Sequence, residues 1–113
     1  MGKPSQERLI RKLDLELFLS EIAPQSNPKT HLEQYTISQS VAATMLYIAA
    51  YKNSDIYRKK VLDLGCGTGR LALGASFLGA KSVVGIDIDR VSIETAIENS
   101  LKTKLHKNVQ CSY

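Results

Sequence analysis

Two carboxylates and a run of glycines stand where they can hold a nucleoside. Leu62-Asp63-Leu64-Gly65-Cys66-Gly67-Thr68-Gly69-Arg70 reads as a buried strand running into a glycine-lined turn, with the acid Asp63 just ahead of it. Glycine at the alternate positions 65, 67 and 69 removes every Cβ where a ligand has to lie against the backbone. A second apolar run, residues 82–89, ends in carboxylates, and Asp87 lies 22 residues beyond Gly65. That spacing fits a ribose clamp. A strand–helix–strand unit sets its second strand beside the first, so the acid that closes the second strand faces the same crevice and can accept both ribose hydroxyls. Asp89 stands immediately before Arg90-Val91-Ser92-Ile93 and is assigned to capping a helix. Ile88, between the two acids, is expected to cover one face of an adenine ring.

These residues need a frame. A helix over 70–78, with apolar residues at helical spacing, stops at Gly79, and a third strand is expected over 108–113. Ahead of this unit, residues 6–22 carry Leu9, Ile10, Leu13, Leu17 and Phe18 at intervals of three and four, the stripe of a helix that packs on something. Pro24-Gln25-Ser26-Asn27-Pro28 breaks it. Ser38 or Ser40 can cap a second helix over 41–50, which is apolar nearly all round and is expected to lie buried against the sheet. The chain thus divides into a helical segment, 5–52, and a β-α-β-α-β unit, 60–113, giving an α/β fold with a partial parallel sheet of three strands and two N-terminal helices.

A dinucleotide fingerprint would require glycine at 65, 67 and 70, but position 70 is Arg70. The pattern present, G-x-G-x-G with Asp63 two residues ahead, resembles the class I S-adenosylmethionine-dependent methyltransferases. The resemblance implies their Rossmann-like fold and S-adenosyl-L-methionine as cofactor. It implies that Asp63 helps to hold the methionine ammonium, and that Gly65, Cys66, Gly67 and Gly69 pass beneath the methionyl and ribose parts. The connector Leu32-Glu33-Gln34-Tyr35-Thr36-Ile37-Ser38 resembles a finer group, the archaeal and eukaryotic adenine-N6 methyltransferases of small-subunit ribosomal RNA, which carry Leu-Glu-Gln-Tyr-Pro-Thr there. By that resemblance Gln34 reaches the cofactor, with Thr36 taking over the usual hydroxyl contact. It also implies an RNA substrate, ribosomal in kind, and a small zinc-binding activator subunit as partner.

The family builds seven strands and catalyses with Asn-Pro-Pro-Phe after the fourth, whereas these 113 residues offer three strand candidates and no proline beyond Pro28. The chain is therefore expected to be the N-terminal, cofactor-binding half of a longer enzyme, with no catalytic residue of its own and a first strand whose open edge would admit an edge-strand dimer. Two alternatives stay open: a methyltransferase for protein or small molecules, and a non-catalytic module that binds cofactor or is completed by a partner. No apolar run spans a bilayer and the start lacks a signal-peptide core, so a cytoplasmic protein without membrane contact is expected. Cys66 and Cys111 lack metal-site or C-x-x-C spacing and are expected to be free thiols; His31 and His106 are isolated, and no metal is expected. The net charge of +4 gathers at Lys3, Arg8, Arg11 and Lys12, at Arg58, Lys59 and Lys60, and at Lys102, Lys104 and Lys107, which suits a polyanion or a plain solvated surface. The purified 113-residue chain is expected not to methylate a ribosomal RNA fragment at a useful rate, which transfer of labelled methyl to RNA would contradict.

Overall fold

A computed structural model describes residues 10–22 and 38–113. The first turns expected of the N-terminal helix, and the connector with Gln34 and Thr36, lie outside the described residues. The order is α1 (Lys12–Ser20), α2 (Gln39–Tyr47) with a π-helical turn (Ile48–Lys52), β1 (Lys60–Leu64), α3 (Arg70–Phe77), β2 (Ser82–Ile86), α4 (Arg90–Lys102) and β3 (Val109–Ser112). The strands form one parallel sheet in the order β1-β2-β3, with Leu64 opposite Ile86 and Gly85 opposite Cys111. Parallel neighbours need crossover helices, and α3 and α4 supply them, α3 packing on β1 and β2 and α4 on β3.

Alternation along the strands separates two faces. Val61, Asp63, Val83, Gly85, Val109 and Cys111 point to the helix layer, where Val83 and Val109 join Leu73, Ala72 and Ala75 in the core. On the other face Leu62 and Leu64 are 59% and 73% exposed, and Val84 and Ile86 are exposed beside them. Strands this apolar on both faces are what a sheet covered by two helix layers requires, and the described residues supply one layer.

Two expectations about the N-terminal helices are corrected. The inner face of α1 is formed by Leu15 and Leu19, continued by Ile22, all fully buried, while Leu13 and Leu17 from the expected stripe are exposed. Ile10 and Phe18 do face the core, and the Phe18 ring stacks on Phe77 with centroids 4.2 Å apart. α2, capped by the Ser38 hydroxyl, which accepts the Val41 N–H at 3.2 Å, packs on α1 and α3 and buries only Ala42, Ala43 and Leu46. Val41, Met45 and Ile48 on its outer side are exposed. The reason lies in α3. A Cβ at Gly74 would sit 2.3 Å from Leu46 Cδ1 and 3.1 Å from Leu19 Cδ2, so this glycine lets α1 and α2 converge on α3, and the helices stack on one another outside the sheet.

The helical segment is tied to the cofactor unit by cations as well as packing. Arg70 Nη2 donates to the Ile22 carbonyl at 3.0 Å, and Lys102 Nζ to the Glu21 carbonyl at 3.0 Å, satisfying oxygens that the end of α1 leaves open. For the inner face so assigned, Leu15→Ala should cost about 2–5 kcal/mol and Leu13→Ala less than about 1 kcal/mol in urea unfolding; equal costs would contradict the assignment.

Candidate cofactor site

The glycine turn is held against the end of β2 by a small set of backbone donors. Gly65 and Cys66 both donate their N–H to the Ile86 carbonyl, at 2.7 and 3.0 Å. Asp87 then joins the two halves: Oδ2 accepts the Gly67 N–H at 2.8 Å and Oδ1 accepts the Asp89 N–H at 2.8 Å. Each carboxylate oxygen can accept more than one bond, so the acid braces the turn and keeps acceptor capacity for hydroxyls. Asp89 is buried and caps α4, accepting the Ser92 N–H at 3.0 Å and the Ser92 hydroxyl at 2.8 Å, as its position before the helix implies.

Gly65, Gly67 and Gly69 all take positive φ, at 74°, 56° and 91°. A Cβ built at Gly65 or Gly67 meets nothing within 4 Å, so their bare backbone faces open space, the cradle a ligand needs. Gly69 instead starts α3 with its α-carbon close under α4, where a Cβ would lie 3.4 Å from Ala96 Cβ.

Asp63 sits on the covered face at the end of β1, between the turn and a cleft of about 280 Å³ walled largely by apolar residues of α2, β1 and α3, Met45 and Leu71 among them. Burial therefore pushes its carboxyl above the ordinary value. The Ala72 N–H in the first turn of α3 favours the charged form and draws the value back part of the way, and the Asp87 charge adds to the rise. Its Oδ2 is buried with no hydrogen-bond partner. A buried carboxylate oxygen without a donor is what a site for a ligand ammonium looks like before the cation is counted.

Cys66 is buried and packs across β2 onto Gly85, where a Cβ would lie 2.9 Å from both its Cβ and its Sγ and 3.4 Å from Cys111 Sγ. The hydrogen bond with the Cys111 thiol, burial and the nearby carboxylates raise the Cys66 thiol, so it stays protonated and acts as a small packing residue of the turn. Both cysteines are free thiols. Ile88, 82% exposed beyond β2, is free to lie over a flat ring.

Three contributors escape a reading of the sequence. Asn99, buried in α4, donates Nδ2 to the Thr68 carbonyl at 3.0 Å and so holds the floor of the turn from a helix away. Gly85 makes room for Cys66, and Arg70 anchors the start of α3 to α1. The available signal for Asn99 was its place on the small, apolar side of α4, three residues after Ala96 and six after Ile93, where an amide needs a partner. Among the described residues no group of His, Cys, Asp or Glu is arranged to hold a metal.

A parallel sheet with one acid before a glycine turn and another after the adjacent strand defines a Rossmann-like nucleoside-cofactor domain of the class I methyltransferase type. The model for ribosomal protein L11 methyltransferase (PrmA) matches residues 41–113, and the chain belongs to this family of S-adenosylmethionine-dependent methyltransferases. It is 48% identical over 103 residues to an uncharacterised protein of Methanocaldococcus jannaschii, covering 91% of this chain and 46% of that one. It is 42% identical over 81 residues to the rRNA N(6)-adenosine-methyltransferase METTL5 of Danio rerio, covering 72% of this chain and 39% of that one. A crystal structure from Pyrococcus horikoshii described as an RNA methyltransferase superposes with a TM-score of 0.83 and 37% identity, covering 90% of this chain and 50% of that one. The chain spans about half the length of the curated relatives it matches.

The family's cofactor is S-adenosylmethionine, and the open glycine cradle and the lone Asp63 oxygen fit it. In calorimetric titration of S-adenosylmethionine, Asp87→Ala and Asp63→Asn should each weaken binding about tenfold or more, the loss of hydrogen bonds to a charged group. The sign for Asp63 in folding is opposite. Its folded pKa lies above the unfolded one, so its contribution is present below the ordinary aspartate value and is lost as pH rises through the raised one. Asp63→Asn should therefore raise the ligand-free melting temperature at pH 7 while it weakens the ligand.

Proposed function

We propose that this chain is the cofactor-binding half of an RNA methyltransferase that modifies N6 of adenine, with ribosomal RNA as its substrate. The observation that carries the reading is the extent of the likeness. The L11 methyltransferase model stops at residue 41, which leaves 73 residues inside it, whereas the match to the rRNA adenosine methyltransferase runs over 81 residues and the match to the structure described as an RNA methyltransferase takes in 90% of the chain. Both therefore reach into the residues ahead of α2, where the Leu32–Ser38 connector carries the pattern of the adenine-N6 enzymes.

The bound cofactor would supply a methyl group on a sulfonium for displacement by the exocyclic amine. This chain's residues hold and orient. The Asp63 carboxylate would take the amino-acid ammonium, and the bare Gly65–Gly67 backbone would leave room for the ligand at the turn. Asp87, already fixed by Gly67 and Asp89, would accept the ribose hydroxyls, and the exposed Ile88 would cover the adenine. Gln34 and Thr36 complete the seat from the connector. Recognition of the acceptor adenine falls to the remainder of a full-length enzyme, which on this reading works in the cytoplasm with a small protein activator.

The L11 match supports one competing substrate, a ribosomal protein. Incubating the full-length enzyme with methyl-labelled cofactor and ribosomal subunits separates the two. We expect N6-methyladenosine in the nuclease digest of the RNA, lowered about tenfold or more by Asp87→Ala; label confined to protein would overturn the reading.

A further inference from the structure

We propose that the N-terminal end of the sheet, opposite the cofactor turn, is a second RNA-binding surface that grips the phosphate backbone away from the methylated nucleotide. The inference rests on the RNA reading above and adds a place to it. Two of the three basic clusters in the sequence, separated by some forty residues, meet there because the strands are parallel and in register: Lys60 pairs with Ser82, and Val83 with Val109. The loops that enter the three strands are bonded directly to each other. Lys81 donates its N–H to the Lys59 carbonyl at 2.8 Å, and Val83 donates to the Asn108 carbonyl at 2.8 Å. Arg58, Lys59 and Lys60 at the start of β1, Lys81 at the start of β2, and Lys104 and Lys107 ahead of β3 thus share one rim.

All but Lys59, which is half-buried, are exposed, and none of the six forms an ion pair among the described residues. No acid occurs in 57–60, 80–82 or 103–110, and Asp55 is the acid that flanks them. Neighbouring strands lie about 4.8 Å apart, so the three entries spread cations over about 10 Å, the span of a few nucleotide phosphates. Between the second and third entries lies a shallow cleft of about 290 Å³ whose walls mix Val83, Val84 and Val109 with Ser82, Asn108 and Gln110, which offer neutral donors beside Lys107. A lipid surface would want exposed apolar side chains among the cations. Here Leu105 is half-buried, Val84 at the cleft is a single small side chain 39% exposed, and the exposed leucines of the sheet, Leu62 and Leu64, lie farther along β1.

The test compares two triple variants of equal charge in binding to a short fluorescein-labelled RNA stem-loop, read by anisotropy between about 50 and 200 mM salt. One variant neutralises the rim, Lys60→Gln, Lys81→Gln and Lys107→Gln. The other removes three cations elsewhere, Arg11→Gln, Lys12→Gln and Lys52→Gln. The rim variant should bind RNA about tenfold or more weakly and flatten the salt slope by about two to three, while the other stays near the wild type. Unchanged affinity for S-adenosylmethionine shows that the rim variant is folded. Equal weakening by both variants, or none by the rim variant, overturns the rim and leaves the RNA reading standing. Failure of the wild type to bind RNA while it is retained on heparin at the same salt overturns both.

Discussion

The docking of the glycine turn on the end of β2 is the constraint from which the rest of the site follows. A turn with three positive-φ glycines in five residues has little conformational preference of its own and would cost considerable entropy to order. Four hydrogen bonds offset that cost: Gly65 and Cys66 donate to the Ile86 carbonyl, Gly67 donates to Asp87, and the Thr68 carbonyl accepts from Asn99. They come from the end of β2, the residue that follows it and α4, so the turn takes its shape only when β2 and α4 are both in place. The acid that would hold the ribose is thus also one that shapes the turn.

The same arrangement explains why the two carboxylates behave differently. Asp87 sits at a strand end among backbone N–H donors, which satisfy a carboxylate without a cation. Asp63 is turned into the covered face beside an apolar cleft, with one oxygen left unpaired. An apolar replacement there would suit the ligand-free fold better, and on the proposed reading the acid is matched to a charge that arrives with the ligand.

Local order carried most of what the sequence disclosed. Strand, turn, helix and strand follow one another without interruption, each marked by residues a few positions apart, so the strand ends, the open backbone at Gly65 and Gly67 and the Asp89 cap were legible, whereas the packing of Gly69 under α4 was not. The failures are tertiary. Which side of α1 faces inward depends on Gly74 in α3, and a count of leucines at helical spacing fits Leu13 and Leu17 as well as Leu15 and Leu19. α2 looked fit for full burial because its composition is apolar, yet composition does not say how many neighbours are present to cover it. Asn99 and Gly85 act on residues 31 and 19 positions away, and only strand pairing and helix packing bring those partners together.

A parallel sheet has unlike ends, and this chain sorts its charges accordingly. At the carboxyl ends of the strands stand Asp63, Asp87 and Asp89; at the amino ends stand Lys60, Lys81 and Lys107. Along β1 three residues separate Lys60 from Asp63, about 10 Å, and along β2 six separate Lys81 from Asp87, about 20 Å, at or beyond the ~8–10 Å over which exposed charges act in physiological salt. A cation-seeking site and a phosphate-seeking surface placed side by side would cancel one another. The length of the strands, together with side chains that alternate between faces, keeps the two sets apart, so on the proposed reading one small sheet offers acids at one end and cations at the other.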